Sequence, residues 1–188
     1  TIGFADALDR LQPDVLLVLG DRFEALAVVQ SALILQIPVA HLHGGDITEG
    51  AYDDAIRHAI TKMANLHFVA AEPYRKRVIQ MGERPATVFN VGACGLDALR
   101  RSTFMDLDTL SASLGFALER PYLLATYHPV TSLEEAPEAT FQAMLAAFDK
   151  HPDHQVILTY PNADNGGRAI IPQLEAYARN NAGRVLAI

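Results

Sequence analysis

Apolar and polar positions along the chain fall into short blocks of two kinds. Residues 14–20 (DVLLVLG) form a continuous apolar run, the pattern of a strand buried on both faces. Residues 22–36 read as a helix, 38–42 as a second strand, 53–65 as a helix, 67–71 as a third strand, 72–81 as a helix and 86–92 as a fourth strand. This alternation predicts a parallel sheet with helices on both faces. The chain opens on a helical stretch, 2–11, with no strand before it.

The rhythm changes near Gly92. Residues 96–120 are helical and polar, without a clear strand. A second series then begins, with strands over 122–127, 155–160 and 184–188 and helices over 137–150 and 167–180. The organisation predicted is α/β, with residues 1–95 as one unit, 96–120 as a connecting segment and 121–188 as a second unit. Ending inside an apolar strand leaves an edge to be paired, so the chain is expected to be an internal piece of a longer protein.

Composition narrows the function. Half of the 188 residues are apolar, enough for a sizeable core, and 15 basic against 22 acidic residues give a net charge of −7. That balance argues against nucleic acid and anionic membrane surfaces as partners. A single cysteine, Cys94, rules out an internal disulfide and a multi-cysteine metal site. No apolar run nears the ~20 residues of a membrane span, and a reducing, cytoplasmic location is the expectation.

In open parallel sheets, ligands bind beyond the carboxyl ends of the strands. Asp21 follows the first strand and, with Glu24, fits a helix capping box; it also fits a proton-transfer carboxylate, and the two roles are compatible. His41 and His43 share a side if their strand continues, but no third ligand is spaced to complete a zinc site. Asp53 and Asp54 open a helix and stand four residues before Arg57 and His58, as surface pairs or as acid and base near histidines. His128 ends a buried strand, where structural and catalytic roles are both open. The turn from Asn162 to Arg168 precedes a helix whose N-terminus suits a phosphate. Arg75, Lys76 and Arg77 read as a solvated helix face. The usual glycine-rich nucleotide fingerprints are absent.

The stretch from His41 to Phe68, with its run HLHGGDITEGAYDDAIRHA, resembles the hydrolysing UDP-N-acetylglucosamine 2-epimerases of sialic and legionaminic acid synthesis. Four further segments match in the same order: Leu19 to Glu24, Asn90 to Gly92 with Gly95 to Asp97, Thr126 to Thr131, and Tyr160 to Arg168. The resemblance implies a GT-B-like fold of two Rossmann-like domains, both partial in this chain, with a UDP-sugar as the partner. It implies loss of UDP by anti elimination as the C2 proton leaves, then addition of water to a 2-acetamidoglucal.

By the same resemblance, Asp21, Asp53 and His128 match catalytic positions, with Asp46 a further candidate. His43, Arg57, His58, Asn162 and Arg168 match substrate-binding ones. His43 stands where non-hydrolysing relatives carry a glutamate, and the TEGA stretch ending at Ala51 with the doublet Asp53 and Asp54 resembles the hydrolysing branch. No metal and no cofactor is called for, and a homodimer is the implied assembly. A non-hydrolysing epimerase and a catalytically silent UDP-sugar-binding module are the alternatives, separable by their products.

Overall fold

The structure is a computed structural model that describes residues 1–130, 136–162 and 166–188. Thr131 and residues 163–165 of two matching segments therefore lie outside the described residues. The chain forms two compact units, Thr1–Ser102 and Thr103–Ile188. The division falls inside the stretch that the sequence assigns to a connection.

The first unit runs α1 (Ile2–Leu11), β1 (Leu16–Leu19), α2 (Phe23–Ile34), β2 (Val39–Leu42), α3 (Asp53–Met63), β3 (Leu66–Val69), α4 (Glu72–Gln80), β4 (Val88–Asn90) and α5 (Gly95–Arg101). Its sheet is parallel throughout, ordered β1-β2-β3-β4, so each helix between two strands is a crossover between neighbours. The second unit runs α6 (Leu107–Leu114), β5 (Tyr122–Thr126), α7 (Pro137–Phe148), β6 (Gln155–Thr159), α8 (Gly167–Asn180) and β7 (Val185–Ala187), with a parallel sheet ordered β5-β6-β7. Local signals set the ends. The Asp106 carboxylate accepts the Thr109 N–H at 2.8 Å to start α6, and Gly115, in the left-handed region, stops it.

Cores form where strand and helix faces meet. Val18, Val39, Val29, Ala32 and Ile60 make one cluster, and Val69, Val78 and Val88 a second. Phe141, Leu145, Val156, Leu158, Ile170 and Leu174 fill the other unit. Each fully buried Val, Leu or Ile contributes roughly 1.5–3 kcal/mol.

One expectation fails at β1. Leu16 and Val18 face the helices, but Leu17 and Leu19 on the opposite face are 64% and 57% exposed. The strand is thus not buried on both faces. Its continuous apolar run reports what each face can bury, not what lies against it. Among the described residues, no helix is long and apolar enough to cross a membrane.

Candidate functional site

In the first unit, the carboxyl ends of three strands and the first turns of α3 deliver side chains to one place. Asp21 follows β1, His43 and Asp46 follow β2, and Cys94 follows β4. With Arg57 of α3 and Gly20 they line a cavity of about 410 Å³. Parallel strands make this convergence automatic, because all their carboxyl ends lie on one edge.

Arg57 organises the cluster. It is 6% exposed, and its Nη2 donates to the Asp21 carboxylate and, at 2.8 Å, to Thr48 Oγ1. Its Nη1 stands 3.7 Å from Asp54, one turn earlier on α3. Such a buried guanidinium is tolerable only because carboxylates surround it. Asp54 also accepts from the Thr48 N–H at 3.2 Å and lies 3.7 Å from His58 Nε2. The i,i+4 pairing of Asp54 with His58 is thus present. Asp21 does not cap α2, whose N-cap is Arg22 with no side-chain cap bond; its carboxylate is turned to Arg57 instead.

The two histidines of the HLH run part company. The strand ends at Leu42, and His43 adopts φ +63°, so the alternation that would have aligned them is broken. His43 Nε2 meets the Cys94 thiol at 3.5 Å in the cavity. His41 is fully buried on the helix side of the sheet. Its Nε2 lies 2.8 Å from the Gly20 carbonyl and its Nδ1 3.2 Å from Thr61 Oγ1. Burial pushes its pKa down from 6.5 to about 4. The expectation that His41 and His43 share a side is therefore corrected.

Helix α4 fixes the turn that carries Asp46. Tyr74 donates its hydroxyl to the Asp46 carboxylate, which raises the tyrosine pKa. Arg77 donates to the Gly45 carbonyl, and Arg75 Nε to the Val88 carbonyl at 3.0 Å. Arg75 and Arg77 are thus tied to backbone rather than solvated, contrary to the sequence reading. A Cβ on Gly45 would stand 2.5 Å from the Tyr74 carbonyl oxygen, so the close approach requires glycine.

The remaining candidates lie apart from this cavity. Asp53 opens α3, half-buried, and His58 is half-buried one turn on; neither lines the cavity. In the second unit, His128, Asn162 and Arg168 are exposed. The Asn162 N–H points to His128 Nδ1 at 3.4 Å, and Arg168 sits in the first turn of α8. Sequence reasoning missed Thr48, Thr61 and Tyr74 as partners of site residues. For Thr61 a signal existed, since it follows Arg57 by four residues on the same helix face. Among the described residues, no three His, Cys, Asp or Glu side chains gather as metal ligands.

Comparison with known proteins adds an independent line. A family model described as UDP-N-acetylglucosamine 2-epimerase matches residues 1–187. A Campylobacter jejuni protein named GDP/UDP-N,N'-diacetylbacillosamine 2-epimerase (hydrolyzing) is 38% identical over 95% of this chain and 47% of its own length. A Legionella pneumophila protein named UDP-N,N'-diacetylbacillosamine 2-epimerase (hydrolyzing) is 37% identical over 98% of this chain and 48% of its own. The chain thus spans about half the length of the curated relatives it matches. In fold, it resembles the Methanocaldococcus jannaschii UDP-GlcNAc 2-epimerase solved with UDP-GlcNAc and UDP. There the TM-score is 0.77 at 16% identity, over the whole of this chain and 52% of that one.

Proposed function

The chain belongs to the UDP-N-acetylglucosamine 2-epimerase family, and on that premise we propose that it is the part of a hydrolysing UDP-sugar 2-epimerase that works on C2 of the sugar. The observation that carries this reading is the buried Arg57 paired with Asp21 beside His43 and Asp46, around one cavity at the strand ends. Two relatives at 37–38% identity bear the name of hydrolysing epimerases, which favours that branch over the non-hydrolysing one.

In this reading, a carboxylate takes the C2 proton. The C2–H electron pair becomes the C1=C2 double bond, and the C1–O bond breaks with its electrons leaving on UDP. A solvent-derived proton is then delivered to C2 on the opposite face, while water adds at C1 and gives up a proton to a carboxylate, giving the free manno-configured sugar. Asp21 is held in one orientation by Arg57, as a general base requires. Asp53 and Asp46 are the other candidate carboxylates. His128 serves the leaving diphosphate, which gathers negative charge as the bond breaks. His43, Arg57, His58, Asn162 and Arg168 bind the UDP-sugar. The names of the two relatives favour a 2,4-diacetamido sugar over N-acetylglucosamine. The whole protein acts as a cytoplasmic homodimer in the synthesis of sialic- or legionaminic-type sugars.

The test is incubation of the full-length protein with UDP-N,N'-diacetylbacillosamine, and separately with UDP-N-acetylglucosamine, in D₂O under proton NMR. Free sugar deuterated at C2, together with UDP, is the expected product. A deuterated UDP-sugar without free sugar would move the protein to the non-hydrolysing branch. Binding of UDP without exchange at C2 would leave a binding module.

A further inference from the structure

Besides the Cys94 segment after β4, three chain segments supply the cavity: the end of β1 with Asp21, helix α3 with Arg57, and the turn after β2 with His43. All three meet at one buried side chain that lines no part of it. We propose that His41, acting with Thr61, is a positioning residue that holds the Asp21–Arg57 pair in register.

The hydrogen-bond pattern allows one assignment. Burial keeps the His41 ring neutral near pH 7, so it carries a single N–H. A backbone carbonyl only accepts, and Nε2 faces the Gly20 carbonyl at 2.8 Å. The proton is therefore on Nε2, and Nδ1 is a bare acceptor. The polar group that faces it is the Thr61 hydroxyl, 3.2 Å away and itself fully buried. The same hydroxyl donates to the Arg57 carbonyl at 2.9 Å, so its one proton is shared between that oxygen and Nδ1. The imidazole thus bridges the residue just before Asp21 and the helical turn just after Arg57.

The third segment rests on the same pair. Gly44 directly follows His43, and a Cβ built there would stand 3.0 Å from both His41 Nδ1 and Thr61 Oγ1. The turn therefore lies against the imidazole and hydroxyl, so a side chain there would push one of them aside. None of these groups reaches the cavity, so their effect passes through Asp21, Arg57 and His43. Displacement of a reacting group by about 1 Å costs up to roughly 100-fold in rate.

The catalytic half of this inference rests on the epimerase reading; the geometric half does not. In the full-length protein, His41→Asn keeps an acceptor near the Nδ1 position but loses the bond to Gly20. By contrast, His41→Gln places an amide N–H near Nε2 and keeps that bond. The expected result is a kcat reduced roughly 10- to 100-fold in His41→Asn with KM unchanged, and most of kcat recovered in His41→Gln. Thr61→Val should fall below wild type, and Thr61→Ser should match it. Wild-type kcat in folded His41→Asn, or equal losses in the Asn and Gln variants, would overturn the proposal. If His41→Asn does not fold, the Gln and Thr61 variants decide.

Imidazole ¹⁵N spectra of the wild type, and the Asp21 amide and Arg57 guanidinium resonances of each variant, separate the two readings. Without turnover of any UDP-sugar, the epimerase reading fails. The positioning role then stands if the ring carries its proton on Nε2 and the Asp21 and Arg57 signals move in His41→Asn but not in His41→Gln. A ring protonated on Nδ1, or signals that do not move, sinks it.

Discussion

The carboxyl-terminal edges of the two sheets are built from the same βα grammar but differ in how their polar groups are held. At the first, Arg57 is 6% exposed and tied to Asp21, Thr48 and Asp54, and buried His41 braces the backbone behind them. At the second, His128, Asn162 and Arg168 are exposed, and the Asn162 N–H meets His128 Nδ1 at 3.4 Å. A buried charged cluster has its geometry before any ligand arrives. Exposed side chains take theirs from what they bind. Proton transfer from carbon needs the former, while recognition of a charged, well-hydrated diphosphate tolerates the latter.

The sharpest way to break this comparison is Asp21→Asn. Loss of a positioned acid–base group costs about 10²- to 10⁴-fold in kcat. The same change leaves the Arg57 guanidinium short of a carboxylate, so thermal stability should fall as well. Steady-state kinetics with a thermal melt checks both. If Asp21→Asn keeps near-wild-type kcat, the preorganised edge is not where the chemistry happens.

Acid should separate the two edges next. The pKa of His41 is about 4 in the fold against 6.5 outside it. Between those values the unfolded chain binds more protons, so stability is complete above about pH 6.5 and is lost as pH falls toward 4. A depression of that size corresponds to about 3 kcal/mol. Around His41, Asp21 favours its protonated form, and His67 and Arg57 oppose it. The neighbouring His67 is also lowered by burial, but Glu83, 3.3 Å away, offsets part of this while Lys62 opposes it. Both histidines belong to the first unit. Hydrogen exchange at pH 5 should therefore loosen β1–β3 before β6, and His41→Gln should flatten the pH dependence. Equal loosening of both units would remove the distinction.

The sequence carried the elements well, because each strand and helix advertises itself within ten residues. The run 167–180 marks α8 with its starting glycine, and 53–65 marks α3 with its acidic first turn. Contacts between distant residues were less legible. Asp21 and Arg57 are 36 positions apart, and the local pattern around Asp21 imitates a capping box closely enough to hide the ion pair. His41 and His43 look equivalent in an alternating strand. A left-handed turn at His43, invisible to periodicity, sends one to the cavity and leaves the other in the core. Leu17 and Leu19 show the same limit, since an apolar run does not say which face is covered.

His128→Gln tests the second edge. Because His128 is exposed, stability should move by no more than about 0.5 kcal/mol. Turnover should fall roughly 10²- to 10³-fold, since the imidazole is assigned to the departing diphosphate. A melt that drops as far as that of Asp21→Asn would mean that this edge is as tightly held as the first.

Arg168→Ala gives the smallest effect and the cleanest separation of binding from chemistry. Arg168 is exposed in the first turn of α8, whose aligned N–H groups already favour an anion. Removing the guanidinium takes away one charge-assisted contact, discounted by water on the exposed side to about 1 kcal/mol. KM for the UDP-sugar should then rise about 5-fold, with kcat unchanged. Raising the salt should weaken the wild type toward the variant, because exposed charges are screened over about 10 Å at 0.1 M. A fall in kcat with KM unchanged would instead place Arg168 on the transition state, and the second edge would have to be as well fixed as the first.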